Sequence, residues 1–191
     1  MKRQTKTKSK IKQAFSELLL DKGFDRLTVS DIIEKAAINR STFYHHYVDK
    51  YDLRDQLVAD MIDQLMAILT TALLNDSMLQ GKNDALFQTI SQTLEYLKED
   101  HIFVRALVMS NQTTFLSDLL KEIMEQFFHF IKDLDQDDQI TPLQYKSDYE
   151  YEMFIASIVS VFLLWVKKGM TDPISEIAQL ITSQVQLTYR D

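Results

Sequence analysis

The chain has 191 residues, with 21 Lys and Arg against 28 Asp and Glu, and no cysteine. That length suits one large domain or two small ones with a substantial core, and the lack of cysteine excludes a disulfide framework and a thiol nucleophile and fits a reducing, cytoplasmic setting. The net charge of −7 hides a division: residues 1–54 are net +5 and residues 55–191 net −12, the asymmetry of a chain with one end built to meet phosphate.

Taken in chain order, the first helix is predicted from about Lys6 to Lys22. Ile11, Phe15, Leu18 and Leu19 fall on one buried face, and Gly23 can take the left-handed conformation that closes the helix. A second helix is predicted from Thr28, where Thr28 and Asp31 form a capping box and Ile32, Ile33 and Ala36 point inward. Ala37-Ile38-Asn39 reads as a three-residue turn. Asn39 is a good N-cap for a third helix with Phe43 and Tyr47 inward. A fourth helix is predicted from Asp49 to about Thr71. Further helices are expected near 83–98, 101–110, 112–132, 145–168 and 174–189, with Leu74–Lys82 and Asp133–Gln144 as loops. Pro173 reads as the first residue of the last helix. Gly and Pro are scarce and no β-branched run has period two, so the fold class is all-α, about nine helices. The opening residues lead into no apolar stretch, which argues against a secretory signal. The longest apolar stretch, Phe154 to Val166, is too short for a membrane span, so no membrane is expected.

Three short helices with a tight turn between the second and third make a helix-turn-helix. In such a unit the third helix enters the major groove and reads bases from its N-terminal end. Arg40, Ser41 and Thr42 are compact or bidentate hydrogen-bonders at that end, and Tyr44, His45 and His46 follow. Lys2, Arg3, Lys6, Lys8, Lys10 and Lys12 give the leading segment six positive charges and no acid, suited to backbone phosphates. His45 and His46 point about 100° apart on a helix and chelate metal poorly. The acidic run Asp133–Asp138 lacks the Gly and Glu that a calcium loop needs, since Asp138 and Gln144 stand there. No catalytic grouping, metal set or cofactor motif is found, so neither an enzyme nor a bound cofactor or metal is expected.

The stretch from Leu27-Thr28-Val29-Ser30-Asp31-Ile32 through Ala36-Ala37-Ile38-Asn39-Arg40-Ser41-Thr42-Phe43-Tyr44-His45-His46-Tyr47 to Lys50-Tyr51-Asp52-Leu53 resembles the DNA-binding signature of TetR/AcrR regulators. That signature has Thr-Val opening the second helix and Ala-Gly-Val-Ser at the turn. It continues with Thr-Phe-Tyr-x-x-Phe in the recognition helix and then Lys-x-x-Leu. Two positions depart from it. Ala37 replaces the turn Gly, so the turn is expected to do without positive φ there. Tyr47 replaces the last Phe, aromatic for aromatic. A second, shorter resemblance runs through Trp165–Met170 and Asp172–Glu176, to the C-terminal domain of Firmicutes-type members.

The resemblance implies a domain at 1–54 that binds double-stranded DNA and a domain at 55–191 for effector binding and dimerisation. Phe43 and Tyr47 would be core. Thr28, Tyr44, His46 and Lys50 would meet backbone phosphates. Asn39, Arg40, Ser41, Thr42 and His45 would face bases or nearby phosphates, with Arg40 the base reader because a guanidinium grips guanine O6 and N7. Phe103, Met109, Phe115, Phe127 and Trp165 would line a pocket for a small-molecule effector. Phe154, Ile158, Phe162, Ile177 and Ile181 would carry a homodimer interface, unless these helices only close the core of one chain. The implied function is a repressor on a pseudo-palindromic operator, released by the effector. One alternative is a co-activator controlled by a protein partner. Another is a helical enzyme that uses its aromatic C-terminal body.

Overall fold

The computed structural model of the chain describes residues 2–74, 83–110, 118–126 and 147–188. Among these residues every element is helical: α1 (Lys2–Arg26), α2 (Val29–Ala36), α3 (Arg40–His46), α4 (Lys50–Leu74), α5 (Asn83–Glu99), α6 (His101–Met109), α7 (118–126), α8 (Asp148–Lys167) and α9 (Ile174–Thr188). The predicted loops at Leu74–Lys82 and Asp133–Gln144, and much of the predicted 112–132 helix, lie outside the described residues.

Two compact units divide the chain: Met1–Asp63 with Asp100–Thr113, and Gln64–Glu99 with Thr114–Asp191. In the first, α1 packs on α2 and α6. The predicted apolar face of α1 is there: Ile11, Phe15, Leu18 and Leu19 are all buried, and so are Phe103, Val104, Ala106, Leu107 and Val108 of α6. Each such Ile, Leu, Val or Phe side chain contributes about 1.5–3 kcal/mol when taken out of water. The α1 helix begins at Lys2 rather than near Lys6, so the basic leading segment is helical. Gly23 breaks it as expected, at φ 76° and ψ 163°, a conformation nearly closed to residues with a Cβ.

In the second unit, α9 packs on both α5 and α8. The turn between α8 and α9 is closed by two left-handed residues, Gly169 at φ 80° and Met170 at φ 57°. Their amides donate back to Val166 and Trp165 carbonyls, each at 2.9 Å. Pro173 precedes the first helical residue of α9, and its carbonyl accepts from Glu176 and Ile177. The 20 residues of α8 have a mean hydropathy of 1.5 over an 18-residue window, enough by length and composition alone to cross a membrane, a test that a packed core helix also passes. Its uncharged run is 153–166, bounded by Glu152 and Lys167 and shorter than the ~18–20 residues a span needs. Among the described residues of α8, Tyr149, Met153 and Leu164 are exposed large apolar side chains.

Candidate nucleic-acid interface

The turn and the two helices around it are held by side-chain caps. The Thr28 hydroxyl accepts from the Asp31 amide at 3.2 Å, and the Asp31 carboxylate accepts from the Thr28 amide at 2.8 Å and the Thr28 hydroxyl at 2.7 Å. This is the reciprocal capping box that the spacing predicts. Lys22 approaches the same carboxylate at 3.0 Å. These hydrogen bonds, led by that of the Thr28 side chain, hold the Asp31 carboxyl down at about 2. At the far end of α2 the expectation for Ala37 fails. Ala37 is left-handed, with φ 51° and ψ 53°. The turn geometry overrides the Cβ penalty because it satisfies two carbonyls: Ala37 N donates to Glu34 O and Ile38 N to Ile33 O, at 3.1 and 3.2 Å.

Asn39 then starts α3. Its Oδ1 accepts from the Thr42 amide at 2.8 Å, from the Ser41 hydroxyl at 2.8 Å and from the Thr42 hydroxyl at 2.5 Å. Phe43 is fully buried beneath the helix, and Tyr47 is 3% exposed at its end. Burial, with Asp60 and Asp52 adding to it, pushes the Tyr47 hydroxyl up to about 12. With these two rings fixed inward, Arg40, Ser41, Tyr44 and His45 are exposed, and Thr42 and His46 are half-buried. The Arg40 guanidinium lies 5.6 Å from the Tyr44 ring centre, over its face. The His45 and His46 rings meet edge to face at 5.1 Å. Burial first, then His45 and Lys8, lowers the His46 pKa and favours its neutral form.

Lys50 is placed differently from the others. Its ammonium donates to the carbonyls of Phe24, Asp25 and Leu27 at 2.9, 3.2 and 2.9 Å. Lys12, one of the six leading charges, pairs with Asp100, the residue before α6, and sits 4.9 Å from the Phe103 ring centre. Two exposed side chains beside α3 carry no polar motif and were not singled out by the sequence: Val48 and Tyr51, 74% and 53% exposed. Both lie in or next to the turn after α3, where periodicity gives no signal.

Chain positions 13–57 match the family described as bacterial regulatory proteins, tetR family. Residues 84–186, more than half of the chain, match the family's transcriptional regulator C-terminal region. The chain belongs to the TetR family. It is a DNA-binding transcriptional regulator built from an N-terminal helix-turn-helix and a helical C-terminal region. Among curated relatives of this TetR regulator, it is 26% identical over 161 residues to the uncharacterized HTH-type transcriptional regulator YxbF of Bacillus subtilis. That match takes in 77% of this chain but only 38% of YxbF's length. It is 22% identical over 175 residues to the HTH-type transcriptional repressor KstR2 of Rhodococcus jostii, covering 88% of this chain and 83% of KstR2. Among solved structures, a protein of Syntrophomonas wolfei assigned to the TetR family superposes with a TM-score of 0.69 at 17% identity, over 97% of this chain and 96% of that one.

The side chains expected around an effector and at a dimer interface fall elsewhere than the reading face. Phe103 is fully buried and Met109 is 52% exposed, both on α6 in the first unit. Trp165 is 1% exposed in the second unit, and its Nε1 donates to the Asp172 carbonyl at 3.0 Å. Phe115 and Phe127 lie outside the described residues. Phe154, Phe162, Ile177 and Ile181 are buried within their own chain, and Ile158 is half-buried. Within one copy these side chains belong to the packing of the second unit, where α8 and α9 meet. The exposed apolar residues of the pair are instead Tyr149, Met153 and Leu164 on α8 and Leu180 on α9.

Proposed function

We propose that the chain acts in the cytoplasm as a homodimeric repressor, without enzymatic activity, that reads a pseudo-palindromic operator through α3. The observation that carries the reading is the exposed row Arg40, Ser41, Tyr44 and His45 over the fully buried Phe43. Arg40 grips a guanine edge. Asn39, Ser41, Thr42 and His45 face bases or adjacent phosphates, and Thr28, Tyr44 and His46 fix the register on the backbone. Residues 1–54 form the working DNA-binding region and 55–191 the regulatory one.

Two copies pair through the uncovered stripe of α8. Tyr149, Met153 and Leu164 recur at spacings of four and eleven, one face of a helix, with the small Ala156 and Ser160 between them. Pairing sets two recognition helices about one DNA turn apart, roughly 34–36 Å. A small-molecule effector bound in the C-terminal region changes that spacing and releases the DNA. The repressor sign follows that of the relative KstR2 and the simplest consequence of occupying a promoter.

The test is selection of duplexes from a random library by the full chain, with Arg40→Ala beside it. The expected product is an inverted repeat. Arg40→Ala should lose its preference at one guanine per half-site, at a cost of about 1–3 kcal/mol, while still binding weakly. A reporter driven by the selected site then fixes the sign of regulation. No binding to any duplex at low salt would sink the reading.

A further inference from the structure

We infer that Lys50 is a positioning residue that holds the helix-turn-helix closed, and that it does not neutralise a DNA phosphate. The inference rests on the DNA-binding reading of α2 and α3. An ammonium has three donors, and Lys50 spends all three on carbonyls of one short segment: Phe24, Asp25 and Leu27, at 2.9, 3.2 and 2.9 Å. That segment follows the break at Gly23 and ends α1, where carbonyls lack partners within the helix. The charge is further held by aromatic faces. Lys50 Nζ lies 4.9 Å from the Phe24 ring centre and 5.4 Å from that of Tyr51. Those two rings meet edge to face at 5.2 Å, and the Arg54 guanidinium lies over them at 4.8 and 5.8 Å.

The topology gives the contact its effect. Lys50 opens α4, and Leu27 immediately precedes the cap of α2. The bond between them spans 23 residues and encloses the whole of α2 and α3. It therefore fixes both ends of the segment that carries the reading face. A phosphate reaching Lys50 would compete with three good acceptors already in place. Releasing them would loosen the entry to α2 at the moment α3 must be held.

The experiment compares the full-length wild type with Lys50→Met and Lys50→Arg. The probes are a duplex enriched by the wild type from a random library and a scrambled duplex of equal length. Affinities are read between about 50 and 200 mM salt on protein shown folded by circular dichroism. The expected result is a loss of tenfold or more for the enriched duplex in both variants. The slope of log affinity against log salt stays at the wild-type value, and scrambled-duplex affinity is unchanged.

A phosphate contact gives the opposite pattern: a slope lower by about 0.9 per protomer in Lys50→Met and near-normal binding in Lys50→Arg. That pattern overturns the inference. So do unchanged affinities in both variants, which is what a lysine that only raised stability would leave. If Lys50→Met does not fold, Lys50→Arg decides alone. It keeps the charge a phosphate needs, but its planar fork does not match three converging carbonyls. Failure of the wild type to bind any duplex would remove the DNA-binding reading itself, an outcome distinct from either slope result.

Discussion

The Ala37 amide donates to the Glu34 carbonyl at 3.1 Å while Ala37 itself sits left-handed, at φ 51°. The hydrogen bond and the strain are one event, since the chain can turn from α2 into Asn39 this tightly only through that conformation. An L-residue with a Cβ pays about 1–2 kcal/mol there, and glycine gives part of that back as extra freedom in the unfolded chain. Ala37→Gly should therefore stabilise the protein by about 0.5–1 kcal/mol, read as a higher urea midpoint at unchanged slope. Duplex affinity should stay within twofold, because the turn geometry is already formed in the wild type.

Asp31 makes stability fall in acid. Its folded pKa, about 2, lies below the ordinary 3.8. A depressed carboxylate contributes fully above the unfolded value and loses that contribution as pH falls through the folded one. The loss should run from about pH 4 down to about pH 2. Asp31→Asn keeps an oxygen for the Thr28 amide but no longer titrates. Thermal melts over that range should show a flatter pH dependence for the variant than for the wild type. Equal dependence in the two proteins would place the acid loss elsewhere.

Much of the first unit was legible because its signals are local. A Thr-x-x-Asp box, an Asn cap, a glycine at the end of an apolar period and two inward aromatics each act within four residues, and each is found where it was expected. Ala37 was misjudged because residue type alone was taken to decide φ, while the decision lies with the carbonyls of Ile33 and Glu34. The partners of Lys50 are illegible for the opposite reason: they are 23 to 26 residues away, and no spacing rule reaches them. The buried face of α8 is not legible either. That helix is apolar on more than one face, so sequence alone does not say which face α9 covers. Phe154 and Phe162 turn out covered, and Met153 and Leu164 do not.

Trp165 should behave as a structural closure of the second unit. It is 1% exposed, its indole N–H reaches the Asp172 carbonyl at 3.0 Å, and its own carbonyl accepts from the left-handed Met170. Trp165→Phe removes the donor, takes this partner from the carbonyl of the half-buried Asp172 and opens a void. A loss of about 2–3 kcal/mol is expected in urea unfolding. A variant as stable as the wild type would show that the hydrogen bond and the packing here contribute little.

The two faces of α8 separate assembly from folding. Leu164 is 60% and Met153 72% exposed, so Leu164→Arg or Met153→Arg removes nothing from the core of one chain. If copies pair through this stripe, each variant places two like charges in one symmetric interface, since a two-fold axis doubles every substitution. Sedimentation should then show a monomer with wild-type helix content. Operator affinity should fall by a hundredfold or more, because the second half-site loses its tethered partner. Phe162, 7% exposed, gives the contrasting control. Phe162→Ala should cost about 3–5 kcal/mol of folding stability through the cavity it leaves. Wild-type assembly in both arginine variants would remove this stripe from the interface.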